Sequence, residues 1–396
     1  MLLQEDVPLG MLARLLLYIV FRFVRLVLLL ESAAFAWISD TRKPAEILHI
    51  VGRMRLDPLE VASASDFIIF HEHYADLTDI FGDIDWHLYS FDGSYAWFVR
   101  SQQIGDTRES LTEFLHEAAI KVARVSIDDF LEHFTKVDDD EKGVSLITIS
   151  SLAPSSLPSL LESLHVDSFV LLHDPPSIGS LSFALQPLPG KFRRQLARAA
   201  VRCLLRKADR KTALLTVRPS LLDTLPLFAR IDEGRGGTFI VHPSSPADAL
   251  SSLLEEHAEY LNMLARVVPC LPLSLLPSLC SISAIYGEAM MKIGVRSSEE
   301  SSLALFVSAL HSAQRCSLTA EALHEEAFED SDEVSYSALC VLHEMLGTTA
   351  RRREERRMRK PRTVNLSRSR VRALKRIAQE AFEDEIQWDD DSPIML

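Results

Sequence analysis

The chain lacks the short motifs by which nucleotide and acyl chemistry is most easily read from sequence. Only 14 glycines occur in 396 residues, and none lies in a G-x-G-x-x-G fingerprint, a Walker A loop or a G-x-S-x-G elbow. Five cysteines form no C-x-x-C pair, and their odd number argues against a secreted disulfide framework. They read as reduced, mostly buried thiols. A net basic charge is also missing: the formal charge of −14 argues against nucleic acid as the main partner. That charge is unevenly spread. Residues 351–376 hold thirteen Arg or Lys against two Glu, a local +11 that leaves −25 on the remainder.

What is present begins at residue 11. The stretch 11–38 is apolar apart from Arg14, Arg22, Arg25 and Glu31. At 100° per residue the three arginines fall within about a quarter of the helix circumference, leaving the rest to Leu, Ile, Val and Phe. It reads as a membrane-anchor helix. Such a helix can span with its arginines snorkelling, or lie in the headgroup layer with them on anionic lipid; an arginine inside a span costs on the order of 3 kcal/mol. Free thiols and arginines near the anchor place the globular part in the cytosol.

Beyond Arg42-Lys43-Pro44 the patterning alternates. Ile47–Val51 reads as a strand, 59–81 as a helix, and Asp85–Phe91 as a strand ending in an Asp92-Gly93 turn. Residues 106–134 show helical spacing through Leu111, Phe114, Leu115, Ala118, Val122 and Val125. Val144–Ile149 and Ser168–Leu172 read as strands, 191–211 as a basic helix, and Thr238–Val241 as a further strand. Strand and helix in alternation imply βαβ units, so the expected fold class is α/β with a mostly parallel sheet flanked by helices. Residues 317–396 read as a helical, then flexible, basic and acidic extension.

Several residue groups carry potential chemistry. His71-Glu72-His73, with Asp76 and Asp79, has metal-binding residue types, but His-x-His on a helix sets the rings about 200° apart, so no metal site is expected. Gly234-Arg235-Gly236-Gly237 reads as a turn. Arg194, Arg198, Arg202 and Arg206 form one stripe on the basic helix, able to hold a diphosphate or headgroup, or simply to face solvent. The 351–376 tract can meet anionic lipid or remain solvated. Trp86, Tyr89, Trp97 and Phe98, grouped around Asp92-Gly93, suit a pocket for an apolar chain or ordinary core packing.

Taken in order, these segments resemble the Nogo-B receptor type of accessory subunit of dehydrodolichyl diphosphate synthase, a cis-prenyltransferase. The anchor and Arg42-Lys43-Pro44 lead into Ile47–Val51. His87-Leu88-Tyr89-Ser90-Phe91-Asp92-Gly93 is similar to the family's second strand, with Ser90 where Asp is usual, and Val144–Ile149 resembles its third. Leu273–Leu279 and Leu305–Cys316 are similar to its Pro-Trp region and terminal helix. The family's terminal Arg-x-Gly is absent, since Ser317-Leu318-Thr319 follows Cys316.

The resemblance implies a cis-prenyltransferase-like domain over 42–316, with an insertion near 190–260. It implies a non-catalytic subunit of a heteromer at the endoplasmic reticulum membrane, partnering a catalytic chain that makes polyprenyl diphosphate for protein glycosylation with Mg²⁺. Arg53 and Arg55 stand where that family has its diphosphate loop, and no residue here is assigned bond-making chemistry. Two other functions fit the residues: a membrane adaptor with a basic recruitment tail, and a monotopic enzyme acting on lipids.

Overall fold

Two sheets of opposite character divide the body, as seen in a computed structural model that describes residues 11–39, 44–101, 110–135, 145–151, 169–185, 190–206, 212–218, 221, 237–241, 260, 284–294, 300, 303–305, 307–308 and 368–382. The first contains β1 (Ala45–Arg53), β2 (Phe67–Ala75), β3 (Trp86–Phe91), β4 (Tyr95–Arg100) and β5 (Lys121–Ser126) in the order β2-β1-β5-β4-β3. Every pairing in it is antiparallel. The second contains β6 (Ser145–Ser151), β7 (Val170–His173), β8 (Thr212–Val217) and β9 (Gly237–Val241) in the order β7-β8-β6-β9, all parallel.

The expected single, mostly parallel sheet of cis-prenyltransferase type is therefore incorrect: a five-stranded antiparallel sheet carries the N-terminal half. Two segments account for the difference. Residues 59–81, read as a helix, contain a single 3₁₀ turn at Ala64–Asp66, then β2, then a short helix α2 (Leu77–Phe81). Ser63 and Asp66 close a capping box around the turn, and Phe67 and Ile69 point inward on alternate residues as a strand requires. Residues 106–134 likewise hold β5 between α3 (Leu111–Ala118) and α4 (Ile127–Thr135). Val122 and Val125 satisfied a helical spacing, yet they lie on opposite faces of the central strand. A short window with valines three apart does not discriminate the two periods.

The hairpin at Asp92 forms where its sequence predicts. The Asp92 carboxylate accepts from the backbone N–H of Ser94 and Tyr95 at 2.8 and 2.7 Å and from the Trp97 indole at 2.6 Å, fixing the turn and one strand side chain together. One face of the antiparallel sheet, with Ala96, Phe98, Ala123 and Val125, packs on α4, α5 (Ser177–Leu185) and α6 (Gly190–Leu205) in a core that continues into the parallel sheet. The opposite face, with Trp97, Val99, Tyr89 and Val122, packs on α3 and on Leu29 of the N-terminal helix α1 (Met11–Ser39).

Helix α1 has the expected extent, but it is not a spanning helix. Among the described residues no helix is long and apolar enough to cross a membrane. Arg14, Arg22, Arg25 and Glu31 leave 32–39 as its longest uncharged run, well short of the roughly 20 apolar residues a span needs. In the C-terminal part, α7 (Ala284–Ile293) and α8 (Arg368–Phe382) pack together, and α8 buries Leu374, Ile377 and Ala378 in the main core. The segments Leu273–Leu279 and 309–316, on which the later part of the resemblance rests, lie outside the described residues.

Candidate functional site

The side chains of α1 divide into two faces. Tyr18, Phe21, Arg22, Arg25 and Leu29 recur at three and four and turn toward the body, where Phe21 is 6% exposed and Leu29 joins the core beneath. Arg25 Nε donates to the Phe67 carbonyl at 3.1 Å, and Arg22 Nη1 to the Tyr18 hydroxyl at 3.3 Å with its guanidinium over that ring. Burial, reinforced by Arg22, lowers the Arg25 pKa to about 10. The arginine face noted in the sequence is thus present, but Arg25 bonds it to β2 and Arg22 packs on Tyr18 of the same helix. Arg14 lies nearer the helix start and is exposed.

The outward face is the reverse of what a water-facing helix carries. Leu16, Ile19, Val20 and Phe23 are more than half exposed, and Val24, Leu26, Val27 and Leu30 continue the same stripe. Phe23 and Leu30 are the extremes, at 64% and 62%. Taking about 200 Å² for a large apolar side chain in the open, these eight present on the order of 800 Å², more than the roughly 300–600 Å² of the largest patch on an ordinary monomer.

Beneath α1 lies a buried charge network. Asp66 accepts from the Tyr89 hydroxyl at 2.7 Å and the Ser63 N–H at 3.1 Å, with Arg55 Nε 3.6 Å away. Glu60 accepts from the Tyr260 hydroxyl at 2.9 Å and the Leu56 N–H at 3.2 Å, and Arg55 Nη2 donates to its backbone carbonyl. Burial pushes the Glu60 carboxyl up to about 7 and raises Asp66; burial lifts Tyr18 to about 12, with Glu60 adding to it. His116 is lowered to about 3 by burial, then by Arg55 and Arg53. A second knot ties the parallel sheet to the start of α3. Asp174, at the carboxyl end of β7 with φ of 50°, accepts from Arg218 Nε and Nη2 at 2.7 and 2.5 Å and from the Ser110 hydroxyl at 2.6 Å.

The arginines proposed for a diphosphate are distributed through this framework. Arg53 donates to the carbonyls of His116 and Ala119 at 3.0 and 3.1 Å, closing the C-terminus of α3. Arg55 is buried between Asp66 and Glu60. Arg202 donates to the Phe134 carbonyl at the end of α4, and Arg206 to the carbonyls of Ile80, Phe81 and Trp86. Arg198 is half-buried, while the side chain of Arg194 lies outside the described ones. Arg53 and Arg55 do not converge on one anion, because each guanidinium serves a different carbonyl or carboxylate.

His71 and His73 fall on a strand, but a bulge between them pairs His71 with Leu48 and His73 with Ile47, successive residues of β1 that face opposite sides of the sheet; His71 Nδ1 lies 2.8 Å from Glu46, and His73 is about half exposed. Among the described residues no three His, Cys, Asp or Glu side chains converge as a metal requires. The described residues therefore offer no ligand set for Mg²⁺. A cleft of about 500 Å³ opens at one end of the antiparallel sheet, between α2 and the side chains of His73, Trp86, Arg100 and Lys121. Arg100 meets Asp83 at 3.1 Å and Lys121 meets Glu72 at 2.5 Å, so its charges are mutually compensated.

The chain matches no protein-family model, no curated protein and no solved structure.

The aromatic group around Asp92 is core and turn. Trp86, Tyr89, Trp97 and Phe98 are all buried, and Tyr89 and Trp97 use their polar atoms on Asp66 and Asp92. Sequence reading missed Glu60 and Asp66. The available signal was Ser63-x-x-Asp66, a capping box directly before an apolar run.

Proposed function

We propose that the protein is a non-catalytic adaptor held at the surface of a bilayer by α1, which lies flat in the interface with the two-sheet body attached to its inward side. The observation carrying this reading is the eight-residue apolar stripe facing away from the body, on a helix whose Arg25 and Phe21 fix it to β2 and the core. An amphipathic helix in this position gains from burying its apolar face about 5–10 Å deep, without crossing the membrane. The packed α8 and the charge-compensated cleft are consistent with a scaffold built to present surfaces.

The prenyltransferase-subunit role implied by the resemblance is not carried into this proposal. The body that went with it has one mostly parallel sheet, and the observed N-terminal sheet is antiparallel. Flotation of the full chain with phosphatidylcholine vesicles containing phosphatidylserine tests the adaptor reading. Wild type is expected to rise with the vesicles and Phe23→Glu to stay at the bottom. Equal behaviour of the two would refute it.

A further inference from the structure

The stripe on α1 also specifies the kind of bilayer it suits, an inference that rests on the docking reading above. Between Leu16 and Leu30 the only charged residues are Arg22 and Arg25, and both are turned inward onto Tyr18 and the Phe67 carbonyl. The outward arc, from Leu26 round to Val24, covers about 160° at 3.6 residues per turn and carries no charge between Leu16 and Leu30. The next residue, Glu31, falls on the same arc and is exposed and acidic. The chain as a whole carries −14. Attraction to an anionic surface is therefore not available from this face.

Breadth separates a bilayer from a protein partner. A helix–helix seam uses two positions per heptad, and the rest of so wide an arc would stay in water. An acyl-chain layer adapts to the whole arc. We propose that α1 docks on electrically neutral bilayers, its apolar stripe entering between loosely packed lipid chains, with no requirement for anionic headgroups.

The experiment floats the full chain with small dioleoyl-phosphatidylcholine vesicles, with and without about 30 mol% phosphatidylserine, in about 0.1 and 0.5 M NaCl, so that screening separates charge from apolar contact. The expected result is a bound fraction equal within about twofold in all four conditions, lowered at least tenfold by Phe23→Glu in each. Large, tightly packed vesicles should bind less than small ones. Phe23→Glu must keep the wild-type circular dichroism and melting temperature, which its exposure predicts.

Binding confined to phosphatidylserine vesicles and lost at high salt would overturn the neutral-bilayer inference; if Phe23→Glu abolished that binding too, docking through α1 would stand. Absence of binding to every vesicle would instead sink the docking reading itself. A concentration-dependent dimer that Phe23→Glu disrupts, with no vesicle binding, would assign the face to a second copy and overturn both.

Discussion

Replacing Glu60 by Gln should change how stability depends on pH, by an amount that follows from its surroundings. The carboxyl is 7% exposed, accepts from Tyr260 and Leu56, and titrates near 7 in the folded chain against an ordinary 4.5. Between those values the folded state holds a proton that the unfolded state releases. The associated stabilisation is complete below pH 4.5 and is lost as pH rises through 7, a change of about 3 kcal/mol at 1.36 kcal/mol per pH decade. His116 works in the opposite direction. Its folded value of about 3 lies below the ordinary 6.5, so its contribution is present above pH 6.5 and lost as pH falls toward 3. From these two groups alone the slopes nearly cancel between pH 4.5 and 6.5.

Wild-type stability taken alone would therefore conceal the effect, and the difference between variant and wild type isolates it. Urea unfolding of both proteins from pH 5 to 8 is the assay. The stability of Glu60→Gln relative to wild type should rise by about 2.5 kcal/mol over that range, because Gln keeps a carbonyl for Tyr260 and Leu56 yet cannot ionise. A difference constant within about 0.5 kcal/mol would show that Glu60 is not held protonated by burial, and the account of the network under α1 would fail.

Other perturbations follow from the same packing. Asp174→Ala removes the partner of Arg218 and places alanine at φ 50°, so chemical unfolding should show a loss of about 3–5 kcal/mol, with Asp174→Asn milder because Asn tolerates that backbone region. Gly179→Ala would put a Cβ 2.9 Å from both Val61 methyl carbons; a loss of about 1–3 kcal/mol is expected, whereas Gly52→Ala, meeting Ile68 at 3.5 Å, should be nearly silent in the same thermal melts. Arg206→Ala strips the carbonyls of Ile80, Phe81 and Trp86 of their shared donor and should cost about 1–3 kcal/mol in urea titrations.

Sequence by itself determined the local devices. The Asp92 turn follows from an Asp-Gly between aromatic strands, the strand at Ser145–Ser151 from a run of Ile and Thr, and the extent of α1 from its unbroken helix formers. The single basic stripe on α1 was equally legible, since helical spacing alone places Arg14, Arg22 and Arg25 together. Tertiary structure decided which way that stripe faces: the Phe67 carbonyl takes the Arg25 guanidinium, and a lipid headgroup offers the same interaction to an isolated helix. It also decided the fold class, because Val122 and Val125 suit either period, and only pairing with β1 and β4 on both sides makes their segment a central antiparallel strand. Glu60 meets Tyr260, Asp66 meets Tyr89 and Asp174 meets Arg218 for the same reason. Residues distant in sequence meet only when two sheets close on each other, and no spacing within a short window encodes that distance.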